Sequence, residues 1–235
     1  LTRPDVEVPV GGRVPVLTID GPSGSRKGTI PRRVAERLGW HLLDSGALYR
    51  LVALSGQTKG LSAADEAAHA ACAASLDVRF SSTAAGEEQI WLAGEDVTAA
   101  IRTERAGDDA SRVAVMPSVR TALLARQRTF AQHDGLVADG RDMGTVIFPQ
   151  ADAKIFLTAT PEERARRRHK QLKDKGLDVS LAALSREIAE RDRRDSSRAV
   201  APLVPASDAL ILDSTVMPID DVVDQVLSVV RERVG

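Results

Sequence analysis

At 235 residues, with 43% apolar and 28% charged side chains, the chain can bury a full core and has the composition of a globular protein. A net charge of −1 argues against a broad electrostatic nucleic-acid binder, and the single cysteine, Cys72, excludes an intrachain disulfide and speaks against a cysteine-based metal site. No apolar run approaches the ~18 residues of a membrane span, and the opening LTRPDVEVPVGGR lacks the apolar segment of a signal peptide, so the expected compartment is the cytoplasm.

Residues 1–13 read as an arm. Val14 to Asp20 is a short β-branched run, as a buried strand would be, and it breaks into Gly21-Pro22-Ser23-Gly24-Ser25-Arg26-Lys27-Gly28-Thr29. An amphipathic helix follows and stops at Gly39. Trp40 to Leu43 predicts a second strand ending on Asp44-Ser45-Gly46, then a helix to about Thr58 and an alanine-rich helical stretch from Gly60 to Ala74. The texture then changes: Leu76 to Phe80 alternates apolar and polar, Gln89 to Leu92 and Val97 are further strand candidates, and Thr83 to Glu88 supplies a turn. A long helix, about Asp109 to Gln132, is kinked or divided at Pro117. Gly135 to Asp139 and Ala153 to Thr158 are buried strands. Two charged helices follow, opened by Pro161 and running from Leu181 to Arg198, then a last strand, Ala209 to Asp213, and a closing helix, Pro218 to Val234.

Five short apolar strands alternating with helices predict an α/β fold, a parallel sheet with helices on both faces. Its core would be residues 14–60 and 106–235, with a small β-containing insert at 61–105 and a short helical lid at about 161–198. Ligands in such folds bind beyond the carboxyl ends of the strands, where Asp20, Asp44-Ser45 and Asp139 to Asp142 gather.

Strand, glycine-rich loop and helix is the setting of a phosphate-binding loop: backbone N–H groups form a concave anion site and Lys27 adds a point charge for the β/γ-phosphates. Two residues depart from the pattern. Arg26 stands where G-x-x-x-x-G-K-[ST] wants glycine, and a left-handed backbone there would be strained. Pro31 deletes a backbone donor; with Lys27 as the first helical residue, the lost bond is the one to the Lys27 carbonyl.

Three other constellations carry chemistry. Asp44 or Ser45 can cap the helix that holds Arg50 one turn in. Asp139-Gly140-Arg141-Asp142 ends a strand on two carboxylates around an arginine, which suits a site or an ion-pair network. Arg191, Asp195 and Arg198 share one helix face. A phosphate loop with many arginines fits a phosphoryl transfer whose acceptor itself carries a phosphate, because that reaction is served by positioning and positive charge rather than by a strong base.

With these residues assembled, the chain resembles the bacterial cytidylate kinases, CMP/dCMP kinases of the nucleoside monophosphate kinase family of P-loop proteins. The resemblance runs from about Val16 to Val230 on GPSGSRKGT, WHLLDSGALYR, LDVRF, GEDVT-AAIRT, VADGRDMGTVIFP, RDRRDSSRAVAPLVPA and LDST. It implies that Gly21, Pro22, Ser23, Gly24, Ser25, Arg26, Lys27, Gly28 and Thr29 hold ATP. Arg50, Arg141 and Arg198 would take the acceptor phosphate; Ser45, Ser111, Arg120 and Asp142 the cytosine; Arg191 and Asp195 the sugar. Lys27, Arg141, Asp142 and Arg198 would serve catalysis, and Thr29 would contact Mg2+, through water. The implied reaction turns ATP and CMP or dCMP into ADP and CDP or dCDP in pyrimidine nucleotide metabolism, in a monomer with no nucleic-acid or membrane partner. Two other readings stand beside it: a CMP-binding protein whose ATP site is impaired by Arg26, and a P-loop kinase for another small molecule.

Overall fold

The computed structural model describes residues 13–82, 88–132, 134–174 and 176–234. The arm, apart from Arg13, and the turn expected at 83–87 lie outside these residues.

A five-stranded parallel sheet carries the molecule, in the order β2 (His41–Asp44), β6 (Leu136–Gly140), β1 (Val16–Asp20), β7 (Ala153–Thr158), β8 (Leu210–Asp213). β1 and β6 are buried at every position, the result of covering both faces of a parallel sheet. Side chains alternate between two cores. Val16, Leu136 and Ala138 pack with α2 (Ser45–Thr58) and α5 (Pro117–Arg128); Leu17, Ile19 and Val137 pack with α1 (Ile30–Leu38) and α8 (Ile219–Val234).

The chain leaves β1 toward the β2 edge, returns to place β6 beside β1, and only then builds β7 and β8 on the other side. The strand order therefore reverses at β1, which opens a crevice at its carboxyl end. The loop Gly21 to Thr29 sits at that crevice.

The insert holds α3 (Glu66–Ala74), capped by Asp65, and an antiparallel three-stranded sheet of β3 (Val78–Ser82), β4 (Glu88–Leu92) and β5 (Glu95–Asp96). The helix expected over residues 109–132 is two: α4 (Glu104–Val113) and α5, with Pro117 at the first turn of α5, where its missing donor costs no bond. α6 (Pro161–Asp174) and α7 (Leu181–Ser196) cover the residues read as a lid and pack against each other.

Helix α1 begins at Ile30 rather than Lys27, which corrects the expectation for Pro31. The proline occupies the second helical position, in the first turn, where a missing donor is tolerated. The preceding N–H groups of Thr29 and Ile30 both donate to the Arg26 carbonyl at 3.0 Å. Gly39 ends the helix in the left-handed conformation, φ 68°.

Candidate active site

A cleft of about 660 Å3 opens at the carboxyl end of the sheet, and twelve basic side chains line it against six acidic ones. At one end lie the phosphate loop, Arg167 and Ile219; at the other lie Ser45, Ser111, Arg120 and Asp142.

The loop achieves its curve with positive φ at Gly21 (153°), Gly24 (77°) and Arg26 (68°). Gly21 is obligatory, because a Cβ there would lie 2.0 Å from the Leu157 carbonyl oxygen. Arg26 adopts the backbone that glycine would adopt, so the concave loop survives the substitution. Its guanidinium turns out of the loop and donates to the Met217 carbonyl at 2.5 Å. Lys27 is buried, with Nζ donating to the Pro22 carbonyl at 2.8 Å. Burial pulls its ammonium down to about 7, and repulsion from Arg141 adds to the shift. Thr29 flanks the helix start exposed, its hydroxyl unspent on a cap. Of the nine loop residues, Gly21, Pro22 and Ser25 do not face the cleft; they lie beneath it, with Ser25 Oγ donating to the Pro22 carbonyl. Their part is to shape the loop.

At the other end, Asp44 caps α2 by accepting from the Ala47 N–H at 3.0 Å. That leaves the Ser45 hydroxyl free of capping, and it donates to Gln127 Oε1 at 2.6 Å. Arg120 and Asp142 form a buried ion pair, with Arg120 over the Tyr49 ring at 5.7 Å. Ser111 Oγ is buried with no partner among the described residues. An unpartnered buried hydroxyl beside a charged pair on a cleft wall is the signature of a polar ligand site.

Between the two ends lie Arg50, Arg141, Arg191 and Arg198. Asp195 accepts from Arg141 Nε at 2.9 Å and pairs with Arg198. Arg50 donates to the Thr103 carbonyl at 3.2 Å, and Arg191 has no ion-pair partner among the described residues. Burial, then repulsion from Arg141, lowers the Arg191 guanidinium to about 10. So many half-buried cations around one carboxylate form a preorganised anion site, since like charges held this close are costly without an anion between them. α6 contributes Arg164, whose guanidinium bridges the Ser23 carbonyl (2.9 Å) and Asp192 of α7, tying the α6–α7 pair to the loop. Arg168 pairs with Glu104, joining α6 to the start of α4.

Asp139 lines the floor of the cleft, and Asp20 lies outside the lining. Asp139 is pushed well above the usual carboxylate range by burial. Asp20 is raised to about 6 by burial, against the two backbone N–H bonds it accepts.

Every substrate residue expected from the sequence lines this one cleft: Ser45, Arg50, Ser111, Arg120, Arg141, Asp142, Arg191, Asp195 and Arg198. Sequence reasoning missed Gln127, Tyr49 and Gly107, at which a Cβ would lie 3.1 Å from Arg50. Gln127 alone left a trace: it falls on the buried stripe Val119, Leu123, Gln127 of α5, a polar residue at an apolar position.

The comparisons agree along the chain. A family model described as cytidylate kinase matches residues 17–232. A cytidylate kinase of Pseudomonas savastanoi pv. phaseolicola is 59% identical over 222 residues, covering 94% of this chain and 97% of its own length. That of Aeromonas hydrophila is 56% identical over 221 residues, 94% and 96%, and that of Pseudomonas aeruginosa strain PAO1 is 58% identical over 219, 93% and 96%. With the glycine-rich loop, the arginine cluster and the polar pocket of Ser45, Ser111, Arg120 and Asp142 all on one crevice, and relatives of this identity over nearly their whole length, the chain belongs to the cytidylate kinase family.

Proposed function

We propose that the protein transfers the γ-phosphoryl group of ATP to CMP and dCMP, and that the Arg120–Asp142 pair with Ser111 and Ser45 carries acceptor choice. Cytosine offers an exocyclic amine beside ring acceptors. Asp142 accepts from the amine, as carboxylates do from cytosine N4, and Arg120 donates to the ring. Uracil puts an acceptor where the amine was, and faces the carboxylate without a hydrogen. Ser111 Oγ, buried without a partner, supports this reading because a bound base would complete it.

Arg50, Arg141 and Arg198 hold the acceptor phosphate, whose oxygen attacks in line while Lys27 and these arginines hold the charge that spreads over the transferring oxygens. Arg191 and Asp195 hold the sugar. Mg2+ bound with ATP supplies further positive charge on the phosphates. The unspent Thr29 hydroxyl suits a contact to it through water, since this ion keeps several waters and takes few protein ligands. The three-stranded insert sheet forms the acceptor-side wall that moves against the core, and α6–α7 close over the donor. Among the described residues no helix is long and apolar enough to cross a membrane. A monomer acting on free nucleotides in the cytoplasm accords with the reading.

The test is ADP release with CMP, dCMP, UMP, AMP and GMP as acceptors. CMP and dCMP are expected to lead; a preference for AMP or UMP would overturn the assignment. In Asp142→Asn the amide can turn its N–H2 toward a uracil oxygen, so the CMP-over-UMP preference in kcat/KM is expected to fall by roughly 10- to 100-fold. An unchanged ratio would remove Asp142 from base reading.

A further inference from the structure

Immediately after Asp142 the chain makes a π-turn, Met143 to Ile147, in which Ile147 N–H donates to the Asp142 carbonyl at 3.2 Å and Phe148 N–H to the Met143 carbonyl at 2.7 Å. The first N–H groups of any such segment lack partners within it, and an aspartate at the preceding position ordinarily supplies one by capping the second or third N–H. Asp142 stands at that position yet makes no cap bond; its carboxylate is on Arg120 in the acceptor pocket.

The cap comes instead from Asp20, 123 residues earlier at the end of β1, with Oδ1 accepting from Met143 N–H and Oδ2 from Gly144 N–H, both at 2.8 Å. The approach requires glycine at 144, since a Cβ there would lie 2.9 Å from Thr18 Oγ1. Asp20 is buried, absent from the cleft lining, and pairs in register with Gly140 of β6. Its side chain faces neither end of the cleft.

We propose that Asp20 is a positioning residue: by capping the π-turn from a neighbouring strand it releases the Asp142 carboxylate from that duty and turns it to the acceptor base. Without Asp20, the Met143 and Gly144 N–H groups are left to the residue at the ordinary capping position, Asp142. The carboxylate then withdraws from Arg120, and both members of the base-reading pair lose their orientation. Asp20 also leads directly into Gly21, so one side chain joins the strand that ends in the donor loop to the segment that reads the acceptor.

This rests on the acceptor reading above, and a double-mutant cycle separates the two. kcat/KM for CMP is measured for the wild type, Asp20→Ala, Asp142→Ala and the double variant, with KM for ATP alongside. Asp20→Ala is expected to lower kcat/KM for CMP by about 30-fold, chiefly through KM, with KM for ATP within about threefold; in the Asp142→Ala background the same change is expected to cost less than about threefold, a coupling on the scale of contacting residues. Equal losses in both backgrounds would mean that Asp20 only supports the fold, and would overturn the proposal. So would a rise in KM for ATP equal to that for CMP. Should Asp20→Ala fail to accumulate as folded protein, Asp20→Asn, which keeps the shape and one acceptor, is read through the same cycle. A wild type that does not turn over CMP would overturn the acceptor reading, and this proposal with it; a wild type that turns over CMP with an additive cycle overturns this proposal alone.

Discussion

Replacing Arg26 by glycine is expected to tighten ATP binding about tenfold while leaving CMP affinity within about threefold. The loop already has the shape a glycine would give it, with φ 68° at Arg26, so the gain does not come from reshaping the cradle. It comes from the side chain. The guanidinium reaches across the donor end of the cleft to the Met217 carbonyl, near Ile219 and in the field of Arg167. A nucleotide extending from the loop toward that end must move it and break its hydrogen bond. The effect on stability is expected to be small. Glycine relieves about 1–2 kcal/mol of left-handed strain, offset by roughly 0.5–1 kcal/mol of added chain entropy and by the loss of the bond to Met217. Calorimetry with ATP and CMP separately decides the matter; equal or weaker ATP binding in the glycine variant would make Arg26 a donor ligand rather than an obstruction.

Lys27→Met is expected to lower kcat by about 10²–10³-fold, the scale for removing one preorganised charge from a transition state, and at the same time to stabilise the protein. Lys27 is buried, and burial pulls it to about 7 from an ordinary 10.5. A base whose folded pKa is depressed binds fewer protons folded than unfolded between those values, so its stability penalty is full below pH 7 and fades as pH rises toward 10.5. Methionine keeps the length without the charge. The variant is expected to gain about 1–3 kcal/mol at neutral pH, or about 2–4 °C in Tm per kcal/mol, with the advantage shrinking at pH 9–10 as the wild type recovers (about two to three pH units up the same curve). Melts of both proteins across pH test this, and an advantage that grows with pH would refute the assignment of the penalty to the ammonium.

Much of this site is legible in the order of residues because its signals are local. The strand-loop-lysine-helix run sets its own backbone, so the loop, the demand for a left-handed residue at Arg26 and the division of the helix at Pro117 can be read from spacing and the steric rules for glycine and proline. The family resemblance, carried by motifs from Gly21 to Thr215, placed the ligand residues on one cleft, and the geometry gathers those of the substrate set there. The start of α1 lies one turn later than expected, because a proline fits the first turn of a helix that begins at Ile30 as well as one that begins earlier.

The remainder depends on which strands become neighbours. Ser45 meets Gln127 across 82 residues, Arg26 meets Met217 across 191, and Asp20 meets Met143 across 123. Each pairing follows from the sheet order, which sets β1 between β6 and β7 and β8 beyond them. The sequence by itself determined what chemistry the chain can do, because loop conformation and residue type are short-range properties. The tertiary structure alone decided which carboxylate caps the π-turn and which pairs with Arg120, because a hydrogen-bond donor takes the acceptor that packing brings within 3 Å or so.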